Sequence, residues 1–452
     1  MSEIKVIGQH AGTVLVGQLA IMAFGVADTV IAGRYSDTAL AALSVGSALY
    51  ISVYVGLIGI VQALLPIWAE MRGAREYERL GRSLRQSLYL GIFISLTGMA
   101  ALLTPGPLLH WAQVPDLLRS EVQAYLAVLA FAFAPSLLFR IYSTFNQSLG
   151  KPLLVTWLQV GALLVKVPLS VWFVAGGGGL EPMGAVGCAW ATLLVNYLLA
   201  GLALVMLRTQ TLYKPFCLWQ RMERPDWSQI GSFARLGIPG GLAYMVEITS
   251  FTLMALFIAR LGTVASASHQ IAASVAAVLY MMPLSMAIAC SARVSFWLGA
   301  GRPDYAKQVI LLGFRLTALI SIMLVAILLI VNKFIAGLYS SNPEIVSMGS
   351  SLLLWVAFYH LADAMQALSS FLLRSYRITL TPLALYAILL WGLGLYGGYQ
   401  LAYKNIAGQV ATQSASSFWA ASTFAIGLVA CCLMALLWTA VQKSQSISPA
   451  KH

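Results

Sequence analysis

Apolar residues in this chain gather into long uninterrupted runs separated by short polar breaks, not into the short periodic patterns of half-solvated helices or strands. The runs lie near 11–33, 42–68, 86–110, 122–145, 153–175, 183–207, 231–260, 268–298, 310–331, 346–373, 381–401 and 416–442. A helix rising 1.5 Å per residue needs about 20 apolar residues to cross hydrocarbon about 30 Å thick. Each run therefore predicts one transmembrane helix. Several ends carry breakers, such as Gly106-Pro107 and the glycines at 176–179. The polar N-terminal stretch MSEIKVIGQH precedes a full-length span, so no cleavable signal peptide is expected.

The two halves repeat at an offset of 226 residues. Arg34 aligns with Arg260, Ala41 with Ala267, Tyr54 with Tyr280, Gly73-Ala74 with Gly299-Ala300, Phe145 with Phe371, and Gly201-Leu202 with Gly427-Leu428. Six spans per half is an even number, so both halves enter the membrane the same way. The predicted fold is an all-α polytopic membrane protein, with two six-helix lobes related by a pseudo-two-fold axis along the membrane normal. The expected division is an N-terminal lobe at 1–207, a cytoplasmic connection at 208–230, a C-terminal lobe at 231–442 and a tail at 443–452. Such repeats are typical of alternating-access transporters.

Composition agrees with this reading. Hydrophobic residues make up 60% of the 452 and charged residues 9%, against about a quarter charged in soluble domains. Soluble enzymes, nucleic-acid binders and secreted scaffolds are excluded. The net charge of +12 reports topology. One set of loops holds Lys5, the cluster from Arg72 to Arg85, Arg140 and Lys151, the central connection with Arg208 through Arg235, Arg293 through Arg315, Arg374 and Arg377, and Lys443 and Lys451. The other set holds only Arg34, Arg119, Arg260, Lys333 and Lys404. The basic side is expected to be cytoplasmic, which puts both termini inside a plasma (inner) membrane. Cys188, Cys217, Cys290, Cys431 and Cys432 show no metal-ligand spacing.

Of the fifteen acidic residues, Asp28, Glu247 and Asp363 lie inside apolar runs. A lone carboxylate in hydrocarbon costs several kcal/mol, so it faces a polar interior, takes a partner or holds a proton. Glu247 and Asp363 each lie about ten residues from a cytoplasmic end, roughly 15 Å deep. At one depth in one half they can share a cation or a proton. Asp28 lies in the other half, near the outer end of its span. Lys166 is the basic residue farthest from any span end. Its ammonium either pairs with Asp28, the acid in its own half, or reaches an interface or wet cavity. Tyr280 and Phe251, near mid-span, offer aromatic faces that suit a lipophilic cation or simply pack.

The run Ala27-Asp28-Thr29-Val30-Ile31-Ala32-Gly33 resembles the first-helix D-T-x-x-x-G motif of the multidrug and toxic compound extrusion (MATE) family. Further resemblances are Arg72-Gly73-Ala74-Arg75, Gly184-Ala185-Val186-Gly187-Cys188, Ser268-His269-Gln270-Ile271 and Leu298-Gly299-Ala300-Gly301-Arg302, in the family's order over most of the chain. The NorM-like branch is the most similar, with a seventh-helix Glu and a tenth-helix Asp matching Glu247 and Asp363. The resemblance implies export of cationic amphipathic drugs, driven by sodium or protons, with sodium favoured because Tyr280 looks like the branch's aromatic beside its cation site. Phe251, Tyr244 and Gln270 become candidates for the substrate cavity. His269 reads as a structural residue at a helix start, with a proton relay as the alternative. Neither enzyme activity nor a cofactor beyond the coupling cation, Na+ or H+, is implied. The expected partners are small lipophilic cations and the bilayer, without nucleic acid, and the protein is expected to act as a monomer.

Two departures from the family pattern stand out. Where members carry N-x-P-L-N on the fifth helix, this chain has Lys166-Val167-Pro168-Leu169-Ser170. A fixed ammonium there repels an incoming cation, so Asp28 is expected to serve as an interhelical ion pair or latch. After span ten the usual R-G-x-K-D-T is Arg374-Ser375-Tyr376-Arg377-Ile378-Thr379, without its acid. Among rival readings, a flippase for lipid-linked precursors would favour a basic cavity, whereas this interior shows three acids against one central Lys. A polytopic membrane enzyme would need a clustered catalytic set, yet the five His are scattered. A two-lobe repeat fits alternating access better than a channel pore.

The orientation has a direct test. In a background lacking the five native cysteines, single cysteines at 221–226 and within the 72–85 loop should resist external labelling, while those at 176–181 should react. External labelling at 221–226 would mean the topology is inverted.

Overall fold

The computed structural model describes residues 3–106, 109, 116–405 and 410–447. Among them are twelve helices long and apolar enough to cross a membrane, and no strand. In chain order these are α1 (Glu3–Tyr35), α2 (Asp37–Gly73), α3 (Tyr77–Leu103), α4 (Asp116–Ser148), α5 (Leu153–Ala175) and α6 (Ala185–Thr209). They continue as α7 (Trp227–Ala259), α8 (Thr263–Gly299), α9 (Pro303–Tyr339), α10 (Pro343–Ser375), α11 (Leu380–Tyr403) and α12 (Ala415–Ile447). Each predicted apolar run overlaps one helix. Residues 107, 108 and 110 of the third run, Pro107 among them, and the tail beyond Ile447 with Lys451 lie outside the described residues.

Most helices outrun their apolar stretch because backbone hydrogen bonding continues where the side chains become polar. α9 begins at Pro303 and α10 at Pro343, a residue whose missing N–H costs nothing in a first turn. Asn342 caps α10 by accepting the Glu344 N–H at 2.9 Å. α3 ends early instead, at Leu103, where Pro105 follows and cannot donate the next helical bond. α2 breaks at Ala63, three residues before Pro66. The Ala387–Tyr396 stretch of α11 winds as a π-helix, a form rare outside functional or strained segments.

Backbone proximity divides the chain into two compact units: Thr13–Gly241, and Leu242 onward together with the N-terminal residues through Gly12. In the first, α4 packs along α2, α3 and α6, with Trp68, Phe133 and Phe145 fully buried in the core. In the second, α10 is the central helix, packed on α8, α9 and α12. The first turn of α1 is tied to this unit by Glu3, which accepts from Arg293 Nη2 at 2.6 Å and Nε at 2.8 Å.

The central connection folds back onto α3. Thr211–Phe216 form a 3₁₀ turn, and Tyr213 donates to Asn146 Oδ1 at 2.8 Å. Arg85, buried at the start of α3, donates to Glu223 at 2.6 and 3.3 Å and to the Cys217 carbonyl at 2.8 Å. Gln86 bonds both the Arg224 carbonyl and the Asp226 N–H. The hydrogen bonds and charge of Arg85 hold the Glu223 carboxyl below the usual carboxylate range. That contribution is present above the ordinary Glu value and is lost as pH falls through the lowered one. Glu223→Gln mimics the loss at neutral pH. With about 1 kcal/mol at stake in a partly exposed pair, tryptic cleavage after Arg221 or Arg224 should rise about fivefold in the variant. An unchanged cleavage rate would show that the pair does not hold the connection.

Candidate functional site

The central helix of the second unit carries a ladder of polar side chains at helical spacing: Tyr359, Asp363, Gln366, Ser370 and Arg374. Steps of three and four residues stack side chains along one helix face, and all five are buried. Asp363 Oδ1 accepts from Gln366 Nε2 at 2.7 Å. Gln366 Oε1 in turn accepts a short hydrogen bond from the Tyr386 hydroxyl on α11.

Glu247 enters from α7, which two bonds hold against α11: Trp391 Nε1 donates to the Val246 carbonyl at 3.2 Å, and Tyr403 to the Phe257 carbonyl at 2.6 Å. The Glu247 carboxylate lies within coulombic reach of Asp363 and Arg374. It borders two small cavities. One is lined by Tyr244, Tyr280, Ser370, Phe371, Arg374 and Tyr386, the other by Ser250, Phe251, Met254, Tyr359, Leu390 and Ser422. Each has a free volume of about 10 Å³, room for one water or one bare ion. The lining of the first cavity brings one carboxylate and several hydroxyl groups, which suit a hard cation, together with the Arg374 guanidinium, which opposes one. Among the described residues, no group of three or more His, Cys, Asp or Glu forms a metal cluster.

Of the residues singled out in the sequence, Glu247, Tyr280 and Tyr244 come together around the first cavity, with Asp363 joined to it through Gln366 and Tyr386. Phe251 lies on the second cavity, in a three-ring cluster with Tyr359 and Trp419, centroids 5.7–6.1 Å apart. His269 belongs to this cluster: its Nδ1 accepts the Trp419 Nε1–H at 3.2 Å, which leaves the ring proton on Nε2. Gln270 is exposed on α8 and lines neither cavity.

Charge counting missed Arg374. It sits at the last turn of α10 and reads as a loop cation, but its side chain turns inward and is 4% exposed. Its guanidinium carbon lies 4.4 Å from the Phe371 ring centroid and 5.2 Å from that of Tyr244. The spacing from Asp363 was the available signal. Gln366, Ser370 and Tyr386 are neutral and gave none.

In the first unit, Lys166 Nζ lies 2.9 Å from Asp28 Oδ2, with the lysine side chain 1% exposed. Ser170 Oγ donates to Asp28 Oδ1 at 3.1 Å, and Lys166 also donates to Thr192 Oγ1 at 2.7 Å. Both carboxylate oxygens are therefore engaged. Cys188 directs its thiol at the Asp28 backbone carbonyl, 3.9 Å away. Gly187 beside it lets α6 press on the end of α5, since a β-carbon there would stand 2.6 Å from the Phe173 carbonyl carbon.

Twelve helices of spanning length among the described residues, with ion-sized polar cavities inside the second unit, define a polytopic membrane protein of the transporter kind. The chain belongs to the MatE family, whose sequence profile matches residues 14–172 and 239–400. It is 34% identical over 438 residues to a probable multidrug resistance protein NorM of Aromatoleum aromaticum, covering 97% of this chain and 94% of the relative. It is 30% identical to multidrug resistance protein MdtK of Klebsiella pneumoniae, covering 94% and 92%. The fold superposes on the eukaryotic MATE transporter AtDTX14 with a TM-score of 0.86 at 19% identity, covering 99% of each chain. At that identity the likeness concerns the fold alone.

The Asp28–Lys166 contact predicts a distinct mutational pattern. Removing one partner of a buried pair leaves an uncompensated charge, a loss of about 3–5 kcal/mol, whereas removing both costs less. Asp28→Asn or Lys166→Met alone should lower thermal stability and transport more than the double change. Normal stability in both single variants, with transport lost only in Asp28→Asn, would make Asp28 an independent functional carboxylate.

Proposed function

We propose that this protein exports cationic amphipathic compounds in exchange for inward movement of sodium or protons, by alternating access. The observation that carries this reading is Glu247 on an ion-sized cavity also lined by tyrosine and serine side chains, with Asp363 linked to that cavity through Gln366 and Tyr386. Carboxylates in a dry interior hold a cation or a proton, because leaving them bare costs several kcal/mol. A protonmotive or sodium gradient then loads the site from one side of the membrane. A cavity of about 10 Å³ accepts an ion but no dye, so cation and cationic substrate compete through the shared negative charge and not through overlap. Tyr280 and Tyr386 add neutral oxygens to the carboxylates, which favours sodium over the proton. Phe251 and the rings beside it offer π-faces to a lipophilic cation. The names of the relatives, multidrug resistance proteins, support the substrate class. In this reading the chain works as a monomer in the plasma (inner) membrane with both termini in the cytoplasm.

Dye efflux from proteoliposomes under separate sodium and proton gradients tests the proposal. Glu247→Gln and Asp363→Asn should each lower gradient-driven efflux at least about tenfold, one factor of ten being about 1.4 kcal/mol, while still reaching the membrane. Near-normal efflux in both variants would remove these carboxylates from coupling. Efflux that persists without sodium and collapses with a protonophore would assign the proton.

A further inference from the structure

Arg374 is a buried cation seated against two aromatic rings. Its guanidinium rests on Phe371 and Tyr244, and its Nη1 is buried with no hydrogen-bond partner. Among the described residues it closes no ion pair, although it lines the same cavity as Glu247. Such a seat is shallow. Cation–π contact is worth about 0.5–2 kcal/mol, less than a charge-assisted bond to a carboxylate at full desolvation. A guanidinium held this way, on a flexible stem, is free to exchange one seat for the other.

The charges of the site point in the same direction. Glu247 and Asp363 against Arg374 leave a single negative charge when both carboxylates are ionised. The other ionisable side chains lining the cavity, Tyr244, Tyr280 and Tyr386, are neutral phenols. One monovalent cation neutralises this set, and a second leaves an uncompensated positive charge in a dry cavity, which carries the cost of any buried bare charge.

We propose that Arg374 is a tethered counter-cation of the Glu247–Asp363 site, limiting it to one monovalent cation and taking that cation's place at Glu247 when it leaves. This rests on the coupling role proposed above for the two carboxylates. It adds a stoichiometry: one coupling cation enters for each monovalent dye exported, so the cycle moves no net charge. Without the guanidinium the site carries two negative charges and holds two cations, and the cycle becomes electrogenic.

The test is efflux of a monovalent cationic dye from proteoliposomes containing the full chain, with the membrane potential clamped by potassium and valinomycin. Wild-type efflux should not respond to the potential. Arg374→Gln should respond to it, should hold its coupling cation about tenfold more tightly, and should turn over more slowly because release is impaired. Arg374→Lys should restore potential-independence, which a merely structural role would not require. If the Gln variant fails to fold, Arg374→Met carries the same expectation with an apolar stem on both rings. Potential-independence and unchanged cation affinity in a folded Arg374 variant, beside a coupled wild type, would overturn the proposal alone. A potential-dependent wild type would overturn the stoichiometry. Efflux indifferent to both sodium and proton gradients in the wild type would overturn the coupling reading and this proposal with it.

Discussion

A charge that leaves water for hydrocarbon must find its compensation within a few ångströms, and the two units of this protein meet that requirement in opposite ways. In the first, Lys166 on α5 reaches Asp28 on α1, and Ser170 takes the remaining carboxylate oxygen. The set is neutral and its acceptors are spoken for. In the second, two carboxyl groups, Glu247 and Asp363, stand against the one guanidinium of Arg374, and in the proposed reading a coupling cation or proton supplies the balance. A neutral, saturated pair binds helices together. An under-compensated set attracts an ion. The two acidic sites thus differ in how their charge is compensated, and the proposed coupling role rests on that difference.

The under-compensated set depends on packing that holds it in place without covering it. α10 sits between α8, α9 and α12, so its polar ladder is shielded from lipid along its length. α7 brings Glu247 to that ladder through bonds to its own backbone carbonyls, from Trp391 and Tyr403. Those bonds go to backbone carbonyls on either side of Glu247 and do not use its carboxylate. The Trp391 bond starts in the π-wound stretch of α11, where the wider turn changes which residues face α7. Edge-to-face rings fill the space beside Glu247, keeping the cavities near the volume of a single ion.

How much of this was legible in the sequence follows from what each signal measures. The twelve helices were visible because spanning hydrocarbon demands about 20 apolar residues each time, a requirement no other feature imitates. Their ends were not, because hydropathy senses the hydrocarbon and the helix continues past it, as at α1 and α9. Asp28, Lys166, Glu247 and Asp363 stood out because an ionised group inside an apolar run is costly and therefore rare. Arg374 did not. It lies where a helix meets the interface, and every arginine there looks solvated until its side chain is seen to turn inward. Gln366 and Tyr386 carry no charge and break no pattern, so nothing marked them as the bridge from Asp363 to the cavity.

The internal repeat sharpens the contrast between scaffold and site. Residues that pack recur at the 226-residue offset: Tyr54 with Tyr280, and Phe145 with Phe371. Residues that carry buried charge do not. The counterparts of Glu247 and Asp363 are Ile21 and Leu137, those of Asp28 and Lys166 are Met254 and Gly392, and that of Arg374 is Ser148. Ser148 even occupies a comparable place at a helix end, where its carbonyl accepts from Arg72 at 3.0 Å. Duplicating a six-helix bundle preserves its apolar contacts, because each half must bury the same faces. It places no demand on charge, which each half can balance internally in any way that reaches neutrality or stops one unit short. Packing positions thus recur between the halves of the repeat, and buried charge does not.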